Sequence, residues 1–388
     1  MADAVAPPTA PAGATGLILS GGGARAAYQV GVLKAIRELL PKSKTNPFPI
    51  LVGTSAGAVN AAVLATHARN FAVAVEGLLE VWQNIHVDQV YRADPAGIAA
   101  SAWRWLGALM FGWLTHRAPQ SLLDNSPLRH LLEHHVNLLR LDDAIAHQAL
   151  RAISITCSGY NSGESVSFFQ GRADLDPWRR SQRVGAHVKI EIDHLMASSA
   201  IPFVFPAVKL HREYFGDGSM RQLAPISPAI HLGADKILVI GAGHLAQEEE
   251  RPADAAGYPS LAQIAGHTLS SIFLDSLWMD LERMNRINQT VSMIPEERRQ
   301  QNGSKLRPID VLVISPSQRL DHLAALHSNA LPWPVRAMLR GIGAMNRSGG
   351  ALVSYLLFEP PYTQALIELG YSDTMTRKDE VRNFLLKD

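Results

Sequence analysis

Two short apolar runs, each broken by glycine and followed by a helical pattern, constrain this chain most. Gly16-Leu17-Ile18-Leu19 leads into Ser20-Gly21-Gly22-Gly23-Ala24-Arg25, and Ile50-Leu51-Val52 leads into Gly53-Thr54-Ser55-Ala56-Gly57. Ala26 to Leu40 then reads as a helix, with Val30, Leu33 and Leu40 among its apolar positions and Pro41 as its stop. The segment after Gly57 is equally helix-forming. Two strand–loop–helix units in succession call for an α/β fold, with a mostly parallel sheet covered by helices.

Helical patterns return at Val73–Asn84 and Pro127–Leu139, and strand patterns at Arg151–Ser158 and Ser165–Gln170. Ile190–Ser199 reads as a helix stopped by Pro202, and Tyr214–Gly218 as a tight turn after an extended piece. Ile226–Leu232 is helical, and Lys236–Gly241 is another apolar strand. The acidic, proline-bearing stretch Gln247–Pro259 is the best linker candidate. Beyond it lie a long helix over Leu261–Ile287, a strand at Asp310–Ile314 and helical C-terminal segments.

Composition narrows the function classes. The 388 residues carry 36 Lys+Arg against 35 Asp+Glu, too balanced for a dedicated nucleic-acid binder. With 47% apolar and 18% charged residues the chain can bury a large core. Its single cysteine, Cys157, rules out a disulfide framework and any cysteine-built metal site. No metal-ligand spacing is visible, and His134-His135 reads as a solvated helix segment. The Ala/Pro-rich lead over residues 1–14 has no basic or apolar signal region, so a cytoplasmic protein is expected. The longest apolar stretch, Ala96–Leu114, is interrupted by Arg104 and crowds Trp103, Trp105, Met110, Phe111 and Trp113 together. An interfacial helix or lid over an apolar site competes there with a buried, tryptophan-rich helix.

Chemistry concentrates in three places. Gly53-Thr54-Ser55-Ala56-Gly57 fits Gly-x-Ser-x-Gly in the strand–turn–helix context that a nucleophile elbow requires. The Gly21–Gly23 loop offers backbone N–H groups to an anion, either a dinucleotide phosphate or the oxyanion of acyl transfer. The dinucleotide reading needs an acidic residue at the end of the second strand, which instead runs into Gly-Thr-Ser. A serine nucleophile also needs a base. His187, His194, His211, His231, His244 and His267 follow Ser55, none in a distinctive turn, whereas Asp217 stands between Gly216 and Gly218 after an aromatic extended piece.

These residues resemble the patatin-like phospholipases, serine lipid acyl hydrolases with a Ser–Asp dyad. Gly21–Arg25 is similar to the family's glycine-rich loop, Gly53–Gly57 to its elbow, and Asp217-Gly218 to its Asp-Gly motif. His194–Pro202 with Phe205-Pro206 resembles the block between the catalytic residues, Gly233-Ala234-Asp235 the element after them, and Ser354–Phe358 the tail of bacterial members. Two positions depart from the pattern: Ala26 stands where glycine is usual, and Ser219 where glycine or alanine is.

The resemblance implies a three-layer fold with helices on both faces, a helical lid insertion at about 70–150 within a catalytic domain at 15–241, and a linker with a helical C-terminal region at 242–388. It implies Ser55 and Asp217 as catalytic residues, oxyanion donors at Gly21, Gly22 and Gly23, and Arg25 as a substrate- or loop-positioning residue. It further implies phospholipid or lysophospholipid substrates, peripheral contact with a membrane surface, and no cofactor. A catalytically weak membrane-associated scaffold on the same fold is the alternative.

Overall fold

The computed structural model describes residues 14–42, 44–95, 97, 103, 121–243, 260–301, 306–345 and 350–386. The apolar runs become strands because they can be buried on both sides at once, which is what a parallel sheet between helix layers demands. Strands β1 (Thr15–Leu19), β2 (Ile50–Thr54), β3 (Ala152–Gly159), β9 (Lys236–Ile240) and β10 (Asp310–Ile314) lie parallel in the order β10-β9-β1-β2-β3. The period-two alternation of side chains divides them between two cores. Leu17, Leu19, Leu51, Ile153 and Ile155 face α1 (Ala27–Leu39), α2 (Ala56–Thr66) and α3 (Phe71–Asn84). Ile18, Ile50, Val52, Ile237 and Val239 face Ala229 and the Leu277, Leu281 and Met284 side of the helix Ser276–Ser292. The sheet is therefore mostly parallel and covered on both faces, as expected.

Past β3 the sheet becomes mixed. β4 (Ser165–Gly171) is antiparallel to β3, and β6 (Arg183–His187) and β5 (Trp178–Arg180) extend the edge. β8 (Glu213–Asp217) pairs antiparallel with the far end of β3, and β7 (Val208–Leu210) pairs with β8. The sequence patterns did not reveal β5, β6 and β7, which are short, carry charge and lie at sheet margins. Tyr214–Gly218, read as a tight turn, is instead a strand that ends at Asp217 before a 3-10 turn, Gly218–Arg221. The long helix expected over Leu261–Ile287 is interrupted by a π-helical turn, Ser271–Asp275, between Leu261–Ser270 and Ser276–Ser292.

The C-terminal residues share the body of the fold. β10 extends the sheet, and the helix Pro360–Thr376 crosses α1 at backbone contact. The crossing depends on two glycines: a Cβ at Gly31 would collide with the Ile367 carbonyl, and one at Gly370 with the Tyr28 carbonyl. Tyr28 Oη donates to Asp373 Oδ2 at 3.0 Å, and Arg377 Nη1 donates to the Val313 carbonyl of β10 at 2.6 Å. Among the described residues no helix is long and apolar enough to cross a membrane.

Gly31→Ala and Gly370→Ala should each destabilise the protein by about 2–4 kcal/mol, because packed backbone must separate. Gly77→Ala, inside α3 with open space around its Cβ, should instead stabilise by about 0.5–1 kcal/mol. Urea denaturation midpoints read both signs.

Candidate functional site

The site is assembled on β3. Thr54, the last residue of β2, pairs with Thr156, and Asp217, the last residue of β8, pairs with the next residue, Cys157. β2 and β8 run in opposite directions on the same side of β3, so their ends meet head to head. Ser55 follows Thr54 at the N-terminus of α2, with φ 54° and ψ −132°. This is a strained, left-handed backbone for a non-glycine residue. The small flanking residues are a steric necessity, since a Cβ at Gly57 would collide with the Leu19 carbonyl.

Several hydrogen bonds hold that junction. Ser55 N donates to Ser198 Oγ at 2.8 Å, and Ser198 Oγ donates to the Thr156 carbonyl at 2.7 Å. Thr54 Oγ1 donates to Gln222 Oε1 at 3.0 Å, and Gln222 Nε2 donates to Thr156 Oγ1 at 3.2 Å. Asp217 N donates to the Ala200 carbonyl, and Asp217 Oδ1 accepts from Ser219 N, both at 2.9 Å. Gly218 must be glycine, because a Cβ there would meet the Thr156 carbonyl.

Asp217 is fully buried, and desolvation pushes its pKa up to about 6. The Ser55 and Ser219 hydroxyls and the Ser219 amide pull the other way, so the Ser55 hydroxyl is close enough to interact with the carboxyl. Among the described residues Oδ2 itself has no partner in strict hydrogen-bond geometry. The carboxyl also acts on its neighbours. Burial and the Asp217 charge together raise the pKa of Cys157 and of Tyr160.

The glycine-rich loop leaves β1 on the same rim. Gly21 packs directly on Ser219: a Cβ at Gly21 would lie 2.6 Å from Ser219 Oγ and 2.7 Å from Phe273. Gly23 has φ 54° and starts the 3-10 turn that continues into α1. The amides at such a start have no intrahelical acceptor and carry the positive end of the helix dipole. A buried polar chain supports the loop. Trp82 Nε1 donates to Asn60 Oδ1 at 2.8 Å, Asn60 Nδ2 to Gln29 Oε1 at 2.9 Å, and Gln29 Nε2 to the Ser20 carbonyl at 2.8 Å.

Arg25 is buried, and its partners belong to the C-terminal region. Its Nε donates to Ser354 Oγ at 2.8 Å, and its guanidinium lies 4.0 Å over the Tyr355 ring, which stacks on Phe273. A narrow apolar pocket with about 60 Å³ of free space opens beside Ser55. Val59, Trp82, Ile85, Leu128, Ile201, Phe205 and Phe358 line it. The aromatic cluster foreseen as a groove contributes nothing that can be described there. Trp105, Met110, Phe111 and Trp113 lie outside the described residues, and Trp103 is 75% exposed.

Three of the candidate histidines have other partners, and His244 lies outside the described residues. His194 Nδ1 accepts from Glu191 N at 3.0 Å as part of a helix cap, and burial lowers its pKa. His187 stacks on Phe169 and His231 on Trp178. Among the described residues no group of three His, Cys, Asp or Glu side chains could hold a metal ion.

The family model described as patatin-like phospholipase matches residues 17–230. No curated protein matches the chain. Among solved structures, VipD from Legionella pneumophila is similar at 13% identity and a TM-score of 0.34, over 96% of this chain and 67% of VipD. The type III effector ExoU is similar at 12% identity and a TM-score of 0.35, over 96% of this chain and 54% of ExoU. A complex of SpcU with ExoU from Pseudomonas aeruginosa aligns over 41% of this chain and 35% of that one, at 18% identity and a TM-score of 0.20. The chain thus spans about half the length of ExoU.

The raised pKa of Asp217 has a consequence for stability. Its folded value of about 6 lies above the unfolded 3.8, so the group favours the native state below about pH 4. That advantage is lost as pH rises through about 6. Asp217→Asn should therefore raise stability at pH 7.5 by about 1–3 kcal/mol, with the gain vanishing towards pH 4. Thermal melts of both proteins at the two pH values measure it.

Proposed function

The chain belongs to the patatin-like phospholipase family, and from that premise we propose that Ser55 and Asp217 form a dyad cleaving fatty-acyl esters of phospholipids or lysophospholipids. Family membership by itself makes the chain a lipid acyl hydrolase in general terms. The observation that carries the finer reading is the meeting of β2 and β8 on β3, which sets a strained serine against a fully buried carboxyl.

The reaction follows from these groups. Above pH 6 Asp217 is ionised, and its raised pKa makes it a base roughly 100-fold stronger than an ordinary aspartate. Asp217 takes the Ser55 proton as Oγ bonds to the ester carbonyl carbon. The resulting oxyanion faces the amides of Gly22 and Gly23, donors of a kind worth about 3–4 kcal/mol each. Collapse expels the alkoxide, which receives the proton from Asp217, and leaves an acyl group on Ser55. Water then attacks the acyl-enzyme with Asp217 again as base, releasing the fatty acid. Gly21 supports the donor loop by packing on Ser219, and Arg25 positions it from beneath.

The acyl chain enters the apolar pocket along α2 and α3, and the protein meets its lipid substrate at a membrane surface. The catalytic unit is 15–241, with the C-terminal region buttressing its glycine-rich loop.

Ser55→Ala and Asp217→Asn should each lower hydrolysis of p-nitrophenyl butyrate and of a mixed-chain phosphatidylcholine by more than about 10³-fold. A fluorophosphonate should label the wild type at Ser55, as peptide mapping reads. The kcat/KM profile should fall about tenfold per pH unit below about 6 and stay level above it. Full activity in either variant would remove the dyad, and absence of labelling would favour the scaffold reading. Val59 stands one helical turn beyond Ser55 on the pocket wall. Val59→Trp should cut cleavage of long-chain esters about tenfold or more while leaving butyrate within about threefold.

A further inference from the structure

Among the described residues five other than glycine have a positive φ, and Phe203, at 63°, is the only apolar one of them. Its side chain is also 76% exposed. Both facts work against the fold. A large side chain is strained in left-handed backbone, which glycine adopts freely. An aromatic ring left in water forgoes the stabilisation of burial. The turn nevertheless holds this shape. Val204 N and Phe205 N both donate to the Ile201 carbonyl, at 3.1 and 2.9 Å. A second segment clamps it from outside: Leu122 N donates to the Phe203 carbonyl at 2.8 Å, and Leu123 N to the Val204 carbonyl at 2.9 Å. Glycine would suit such a backbone better, so the fold by itself gives no reason for the ring. Strain that the surroundings hold in place is a mark of function.

The position of the ring identifies its partner. Ile201 and Phe205 stand two residues to either side, and both line the apolar pocket beside Ser55. Two residues span at most about 7 Å, so the backbone of Phe203 lies within that distance of the pocket wall. Leu122, bonded to the Phe203 carbonyl, is 40% exposed, while Leu123 beside it is buried. We infer that Phe203 and Leu122 insert into the lipid bilayer that supplies the substrate, seating the pocket wall on the membrane. This rests on the reading of that pocket as the acyl site. An acyl chain crossing water on its way to the pocket would expose its methylenes, and each one opposes the transfer. An apolar tip sunk at the acyl boundary beside the pocket removes that gap. Two protruding apolar side chains fit a soft lipid surface, whereas a protein partner calls for a larger patch with matched hydrogen bonds.

Binding is measured by sedimentation with phosphatidylcholine vesicles in the Ser55→Ala background, so that hydrolysis does not alter the lipid. Adding Phe203→Gly should weaken that binding about tenfold or more. In the otherwise wild-type chain Phe203→Gly should slow cleavage of vesicle phosphatidylcholine to a similar degree. It should keep p-nitrophenyl butyrate hydrolysis within about threefold and melt no earlier than the wild type. Phe203→Trp, which keeps an interfacial ring, should retain most of the vesicle binding. Cys157 is the single cysteine and is buried. Phe203→Cys can therefore carry an environment-sensitive fluorophore at one site, and its emission should shift to the blue when vesicles are added.

Unchanged vesicle binding after Phe203→Gly would overturn the inference, and so would no binding by the parent protein. An earlier melt would overturn it too, since the ring would then hold the fold. A change of oligomeric state with vesicle binding intact would assign the ring to a contact between copies of the chain. If the wild type cleaves vesicle lipid and Phe203→Gly cleaves it equally well, only the role of Phe203 falls. If Ser55→Ala cleaves as the wild type does, the nucleophile reading falls, and the labelled Phe203→Cys protein still decides whether the tip enters the bilayer.

Discussion

Two consecutive residues of β3, Thr156 and Cys157, pair with the ends of two strands that approach from opposite directions. The rest of the site depends on that register. One residue of slip in either strand would turn its terminal side chain to the other face of the sheet. The local chemistry is arranged to prevent slip. Gln222 bonds to both Thr54 and Thr156, and Ser198 ties the Ser55 amide to the Thr156 carbonyl. Thr156 thus anchors the Ser55 side of the junction, although it carries no chemistry of its own.

The same junction sets the electrostatics. A carboxyl at a strand end inside the sheet loses its water, and its raised pKa is the price of that position. The strain at Ser55 adds to the cost, so the surrounding structure must hold both. The supports come from distant parts of the chain. A polar chain from Trp82 through Asn60 and Gln29 reaches the Ser20 carbonyl, and Arg25 is gripped by Ser354 and Tyr355. The π-helical turn Ser271–Asp275 presents Phe273 to both Tyr355 and Gly21. The C-terminal helices therefore support the glycine-rich loop, although they carry neither Ser55 nor Asp217.

Legibility in the sequence followed backbone demand. Gly57 and Gly218 stand where any Cβ would strike a carbonyl, and Gly23 where φ is positive, so these positions leave a readable mark. The doubly buried strands were equally plain, because helices on both faces require continuous apolar runs. Side chains that act through partners far along the chain left no such mark. Gln222 meets Thr54 across 168 positions and Arg25 meets Ser354 across 329, and nothing in local pattern announces either pair. The pocket wall was hidden for a related reason. Trp82 and Phe358 read as ordinary apolar positions, and only their stacking at 6.2 Å beside Ser55 gives them a role. The crowded tryptophans of 96–114 drew attention by composition, which reports apolar surface without saying where it lies.

The two departures from the family pattern can be weighed in the same physical terms. Ala26 has φ −66° and ψ −11°, ordinary helical values that any residue adopts, so nothing in the backbone requires glycine there. Its carbonyl accepts from Asn60 Nδ2 at 3.3 Å, which joins it to the chain that supports the loop. Ser219 is less neutral. Its amide and hydroxyl both lower the Asp217 pKa against the pull of burial, and its Oγ occupies the space that a Cβ at Gly21 would need. One hydroxyl thus touches both the carboxyl and the loop. An alanine at 219 would keep the amide bond and lose the hydroxyl, leaving Asp217 a stronger base that ionises at higher pH. The serine therefore biases the site towards a carboxylate that is charged at lower pH, at some expense in basicity.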